Sequence, residues 1–183
     1  MRDVDYASKL GYVIKLIGMS KVEDDGVSVM VAPMMIKKGH PLASVESVNN
    51  AIMVKGNAIG NAMFYGPGAG KLPTASAVVA DVIDVAKNPG RENRVLWTKS
   101  ENEVIRPQDK AEFKYFVRVA SCEECAKEEI SKIFGNCEFL DVYEDELGFV
   151  TEIISESQLE DKISSLTHKV IHFTRIMPDL GKR

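Results

Sequence analysis

A chain of 183 residues has room for one domain or two small ones, and its 45% hydrophobic content is enough for a core. A formal net charge of -4 and a pI near 5.5 argue against nucleic acid or an anionic membrane as partner. Three cysteines, no apolar run of the ~20 residues a membrane span needs, and no apolar signal segment after Met1-Arg2-Asp3 read as a soluble cytoplasmic protein.

The first predicted element is an amphipathic helix over residues 4–19. Ala7, Leu10, Ile14 and Ile17 recur at three- and four-residue steps, and Val13 and Leu16 widen the stripe. Asp5 and Lys9 stand four apart on one face, a spacing that by itself gives a surface ion pair. Glu23-Asp24-Asp25-Gly26 marks a turn, residues 27–31 alternate as a strand closed by Pro33, and Met34-Met35-Ile36 begins another apolar piece. His40 is lone and precedes Pro41, which favours a loop role over catalysis. Strands are expected over 49–54 and 62–65, with Lys55-Gly56-Asn57 turning between them.

Gly66, Gly68 and Gly70 then alternate, and a helix is expected from Thr74 to about Lys87, with Val78, Val79, Val82, Ile83 and Ala86 on its buried side. Pro73 suits the first helical turn, and Thr74 or Ser76 could cap the free amides there. Strand, glycine turn and helix start together let backbone approach a phosphate or a nucleotide ring. The spacing is not that of a dinucleotide fingerprint, which also needs an acidic residue about 20 residues on. Asn88-Pro89-Gly90 stops the helix, and the charged stretch that follows, poor in pattern, reads as a linker.

Beyond it, Phe113, Tyr115, Val117 and Val119 share one side of a strand over 113–120. A helix over 122–134 follows, then strands over 139–143 and 149–154 joined by the acidic turn Glu144-Asp145-Glu146 and Gly148. A helix over 158–168 and a strand over 170–176 complete a βαββαβ order, the ferredoxin-like pattern. Cys122-x-x-Cys125 has three readings. It could be redox-active at a helix start, although Glu123 and Glu124 oppose a lowered thiol pKa. It could form a zinc site with His168 and His172, or simply pack and cap.

The phrase Gly66-Pro67-Gly68-Ala69-Gly70-x-x-Pro73-Thr74-Ala75-Ser76-Ala77-Val78-Val79-Ala80-Asp81 closely resembles the end of the catalytic region in bacterial homoserine dehydrogenases. Asp5-x-x-x-Lys9-Leu10, His40-Pro41-Leu42-Ala43 and Asn50-Ala51-Ile52 look like the same family. The resemblance implies that Lys9 is the acid/base, that Asp5 binds substrate, and that Gly66, Gly68, Ala69 and Gly70 complete the nicotinamide side of the pocket. It implies NADP or NAD in the intact enzyme, with none expected bound to this chain. The substrates implied are L-homoserine and L-aspartate 4-semialdehyde, in threonine and methionine biosynthesis. A homodimer or higher homo-oligomer follows from the same likeness. The C-terminal part is similar to the ACT modules of these enzymes, which makes L-threonine a possible effector. Its first loop, Ala120-Ser121-Cys122-Glu123-Glu124-Cys125, departs from their usual Asp-x-Pro-Gly type.

The expected fold class is therefore α+β. A mixed sheet-plus-helix substrate and dimerisation region spans 1–97, a linker 98–110, and a ferredoxin-like, ACT-like domain 111–180. With no nucleotide-binding domain before Asp5, the chain is expected to be a fragment, inactive alone. The alternative is a non-catalytic amino-acid-sensing or assembly module.

Overall fold

The computed structural model describes residues 2–91, 98–99, 104–120 and 124–179. In chain order the elements are α1 (Arg2–Lys9), β1 (Tyr12–Glu23), β2 (Gly26–Lys37), β3 (Asn49–Gly56), β4 (Gly60–Pro67) and α2 (Lys71–Lys87). They continue with β5 (Glu112–Ala120), α3 (Glu124–Phe134), β6 (Glu138–Tyr143), β7 (Glu146–Val150), β8 (Ile154–Ser155), α4 (Glu156–Ser164) and β9 (Val170–Ile176). This is a mixed α+β chain, as expected. Its contacts divide it into two compact units, Met1–Gly39 with Asn102–Arg183, and His40–Glu101. The units thus cut the chain at different places from the functional segments read in the sequence. None of the described helices is long and apolar enough to cross a membrane.

In the first unit the predicted helix over 4–19 is corrected. The helix ends at Lys9, Gly11 takes φ +79, and a 12-residue strand begins at Tyr12. Glycine enters the left-handed region without a Cβ penalty, so it ends the helix. Tyr12, Val13, Ile14 and Ile17 then favour strand, where β-branched and aromatic side chains pack well. The apparent stripe is split between two sheet faces: Ile14 packs beside Tyr6, whereas Ile17 packs with the opposite core. β1 pairs with β2 in an antiparallel register from Tyr12↔Lys37 to Glu23↔Gly26. β2 runs on through Pro33, correcting the strand end expected there, and its parallel pairing with β9 is Met34↔Arg175 and Met35↔Ile176.

Among the described residues these strands join a seven-stranded sheet in the order β1-β2-β9-β5-β7-β6, with β8 beside β5. The run β9-β5-β7-β6 is antiparallel throughout and realises the βαββαβ pattern. The strand expected over 149–154 is displaced. β7 starts at Glu146 and includes Gly148, and Ile154–Ser155 forms a separate short strand against β5. α4 begins at Glu156, ahead of the position expected, because Ser155 and Gln158 form a reciprocal capping box.

The central strand β5 is buried on both faces. Phe113, Tyr115, Val117 and Val119 meet Ala126, Ile130 and Phe134 of α3 and Leu159 of α4. Phe116, on the other face, packs with Tyr6 and Ala7 of α1, together with Met35, Leu140, Val150 and Ile176. Burying each large side chain of this kind contributes about 1.5–3 kcal/mol. That is how an eight-residue helix, too short to persist alone, is held.

In the second unit β3 and β4 form an antiparallel hairpin from Asn49↔Pro67 to Gly56↔Gly60. A 3-10 turn over Pro41–Ser44 precedes it, and His40 Nδ1 accepts from the Leu42 N–H at 3.2 Å, a loop-capping role. α2 has no buried residue: Val78 is 57% exposed, Val82 63% and Ile83 46%. The buried side expected for this helix is thus corrected. Its composition specifies helix, but its apolar side chains remain open to solvent.

Candidate functional site

β3 and β4 position the glycine turn. Asn50 pairs across the hairpin with Gly66, and its side chain lies over Gly68, where a Cβ would fall 1.7 Å from Asn50 Nδ2. The Gly68 N–H donates to the Val48 carbonyl at 3.3 Å. Gly70 takes φ +126 immediately before α2, and the Thr74 N–H closes the first helical turn onto its carbonyl at 3.1 Å. α2 starts at Lys71, so Pro73 does lie in its first turn. Thr74 and Ser76 fall inside the helix and do not cap it. No side chain caps this start, which leaves bare backbone and a helix N-terminus beside the exposed residues Gly68, Ala69 and Gly70.

The other predicted site residues lie on α1, and no ion pair joins Asp5 to Lys9. The Asp5 carboxylate accepts a hydrogen bond from the Tyr143 hydroxyl of β6 at 2.6 Å. That bond, with a smaller effect of burial, raises the Tyr143 pKa. Lys9 is exposed at the end of the helix. A cavity of about 230 Å³ opens beside α1, lined by Val4, Ala7, Ser8, Lys38 and the first residues of β1, from Tyr12 to Lys15. Neither Asp5 nor Lys9 lines it. The structure therefore takes Asp5 to the C-terminal strands and leaves Lys9 outside the lining of this cavity.

Several residues around α1 escape the sequence reading. Tyr6 is fully buried, its ring centroid 5.2 Å from that of Phe116 and 5.8 Å from that of Tyr143. Its hydroxyl donates to the Glu146 carbonyl at 3.2 Å, and burial, followed by the Glu146 charge, pushes its pKa up to about 12. Arg118 and Glu146 are each only 7% exposed and pair at 2.6 Å. Arg118 also reaches Asp3 at 2.9 Å, while Arg2 holds both Asp145 and Glu146. The available signal was Arg118 itself, a charge inside the apolar run of β5 on the same face as Phe116.

Of the cysteine–histidine set, Cys122 and the side chain of Cys125 lie outside the described residues. His168 Nδ1 is paired with Glu129 of α3, whose other oxygen accepts from the Thr167 N–H at 2.9 Å. His172 stands opposite Arg118 in the β5–β9 register. No cluster of three or more metal-binding side chains occurs among the described residues. Cys137 is half-buried, and burial, with Glu152 nearby, pushes its thiol up to about 11, a setting for an inert thiol.

Residues 1–83 match the family model described as homoserine dehydrogenase. The chain belongs to the homoserine dehydrogenase family. The enzyme of Neisseria gonorrhoeae is 38% identical over 130 residues, 67% of this chain and 30% of that protein. The one from Lactococcus lactis is 44% identical over 105 residues, 57% and 24% of the two chains. Among solved structures, a homoserine dehydrogenase from Thiobacillus denitrificans superposes with a TM-score of 0.84 at 29% identity, covering 98% of this chain and 46% of that one. That of Staphylococcus aureus gives 0.72 at 32% identity, covering 96% and 44%. The chain thus spans less than a third of the first curated homoserine dehydrogenases it matches, and its α+β architecture matches that of the two solved structures across nearly all of its own length.

Proposed function

We propose that this chain forms the substrate-side and C-terminal part of an NAD(P)-dependent homoserine dehydrogenase, which interconverts L-homoserine and L-aspartate 4-semialdehyde. The observation that carries the reading is the family match over residues 1–83, which takes in the whole strand–glycine–helix turn. The bare backbone of Gly66, Gly68, Ala69 and Gly70 before an uncapped helix fits close approach by the nicotinamide side of the cofactor. When bound, that cofactor would accept hydride from the alcohol carbon. The chain's own task is to hold the substrate and move the hydroxyl proton. By resemblance Lys9 takes that proton, which requires a neutral amine and hence desolvation when the complete site closes. Asp5 then faces the substrate ammonium.

The bond from Tyr143 favours a second role for Asp5, as an anchor of α1. The ferredoxin-like strand order supports an ACT-like C-terminal part; the family resemblance supports L-threonine as a possible effector and a homodimer or larger homo-oligomer. The test is to supply the nucleotide-binding part of a relative in trans and follow homoserine-dependent reduction of NAD and of NADP. The combination is expected to turn over. A folded combination without homoserine-dependent reduction would overturn the reading.

A further inference from the structure

Four polar side chains of α1, those of Arg2, Asp3, Asp5 and Tyr6, converge on the C-terminal strands. Arg2 bonds both Asp145 oxygens at 2.8 and 2.9 Å and also reaches Glu146. Asp3 meets Arg118 at 2.9 Å, Asp5 accepts from Tyr143 at 2.6 Å, and the Tyr6 hydroxyl donates to the Glu146 carbonyl at 3.2 Å. Three of these partners, Tyr143, Asp145 and Glu146, lie in or beside the turn that joins β6 to β7. The fourth, Arg118, is tied to that turn through Glu146.

Apolar contact alone does not set register, because burial is non-directional. The Tyr6 and Ala7 contacts hold α1 against the sheet, whereas the charged and hydroxyl groups fix where along the sheet it sits. α1 leads through Leu10 and Gly11 directly into β1, so its position also sets the start of that strand.

We propose that the β6–β7 turn, together with Arg118, is a clamp by which the C-terminal strands set the position of α1 and the entry to β1. A ligand or substitution that moves this turn moves α1. Tyr143, Asp145 and Glu146 are therefore positioning residues. The proposal goes beyond the family reading, and its test reads α1 itself, so it stands or falls independently of dehydrogenase activity.

Hydrogen exchange followed by mass spectrometry on the whole chain is the test. Tyr143→Phe removes the bond to Asp5 while keeping the half-buried ring, and Asp145→Asn removes the charge of an exposed pair with Arg2, so the chain is expected to stay folded. Each is expected to speed exchange in α1 and in the Leu10 and Gly11 amides, which bond back to the Tyr6 and Ser8 carbonyls, by about three-fold. The double variant should reach roughly ten-fold, with β5 and β9 unchanged. Glu146→Gln is expected to act more strongly, because it leaves Arg118 short of a buried partner. Unchanged α1 exchange in the double variant would overturn the proposal. An equal acceleration in α1 and β5 would also overturn it, since that reports global loosening and not release of a clamp.

Discussion

Gly148→Ala probes the packing beneath α1 most directly. A Cβ at this position would stand 2.7 Å from Tyr6 Cε1, 2.9 Å from Phe116 Cε2 and 3.0 Å from Tyr6 Cδ1. Neither ring has room to retreat, because both are fully buried and the Tyr6 hydroxyl is tethered to the Glu146 carbonyl. Overpacking of this kind costs about 1–3 kcal/mol. Alanine returns roughly 0.4–1 kcal/mol by restricting the unfolded chain. The expected net loss is about 1–2 kcal/mol, which lowers the urea midpoint by roughly 0.5–1 M for a domain of ordinary m-value. Far-UV circular dichroism across a urea series measures it. In a Tyr6→Leu background two of the three close contacts are gone and only that with Phe116 remains, so the alanine should cost less than in the parent. A Gly148→Ala protein as stable as the parent, or an equal cost in both backgrounds, would refute the packing argument.

Other expectations follow from the same geometry. In the complemented enzyme, Lys9→Ala should lower kcat by about 10²–10⁴ if this lysine carries the proton; retained turnover would assign the acid/base to another residue. The Tyr6 phenol should ionise near 12 in the folded chain against an ordinary value of 10.0. Its folded pKa is raised, so its contribution to stability is whole below 10 and is lost as pH rises toward 12. Ultraviolet titration should lose that late component in Tyr6→Phe. Asp145, through its bonds from Arg2, and Glu129, through the Thr167 N–H and His168, both have lowered pKa values. Their contributions are present above the ordinary 3.8 and 4.5 and are lost as pH falls through the lower folded values. Asp145→Asn with Glu129→Gln should therefore flatten the acid limb of a urea-midpoint series, and an unaltered limb would contradict this. Calorimetric titration should give saturable heat with L-threonine and none with L-serine; silence with L-threonine would leave the C-terminal strands an assembly surface.

Much of this protein was legible in the order of its residues. The alternation Phe113, Tyr115, Val117, Val119 placed one face of β5 correctly, because a strand's period of two survives any tertiary arrangement. The βαββαβ order and the strand–glycine–helix turn were readable for the same local reason, as was the family, whose signature is contiguous along the chain. Period alone failed at residues 10–17. There Leu10, Ile14 and Ile17 fit a helical stripe, yet Gly11 ended the helix and a partner strand 25 residues on completed the sheet. It failed again at α2, where composition specified a helix but not what, if anything, covers it. The union of residues 1–39 with 102–183, the use of Asp5 to bind Tyr143, and the Arg118–Glu146 pair under α1 were decided only by tertiary structure. Each joins residues far apart in sequence, 138 positions in the case of Asp5 and Tyr143. No local propensity or spacing encodes such a contact; it exists only once the sheet has brought both ends of the chain to the same face.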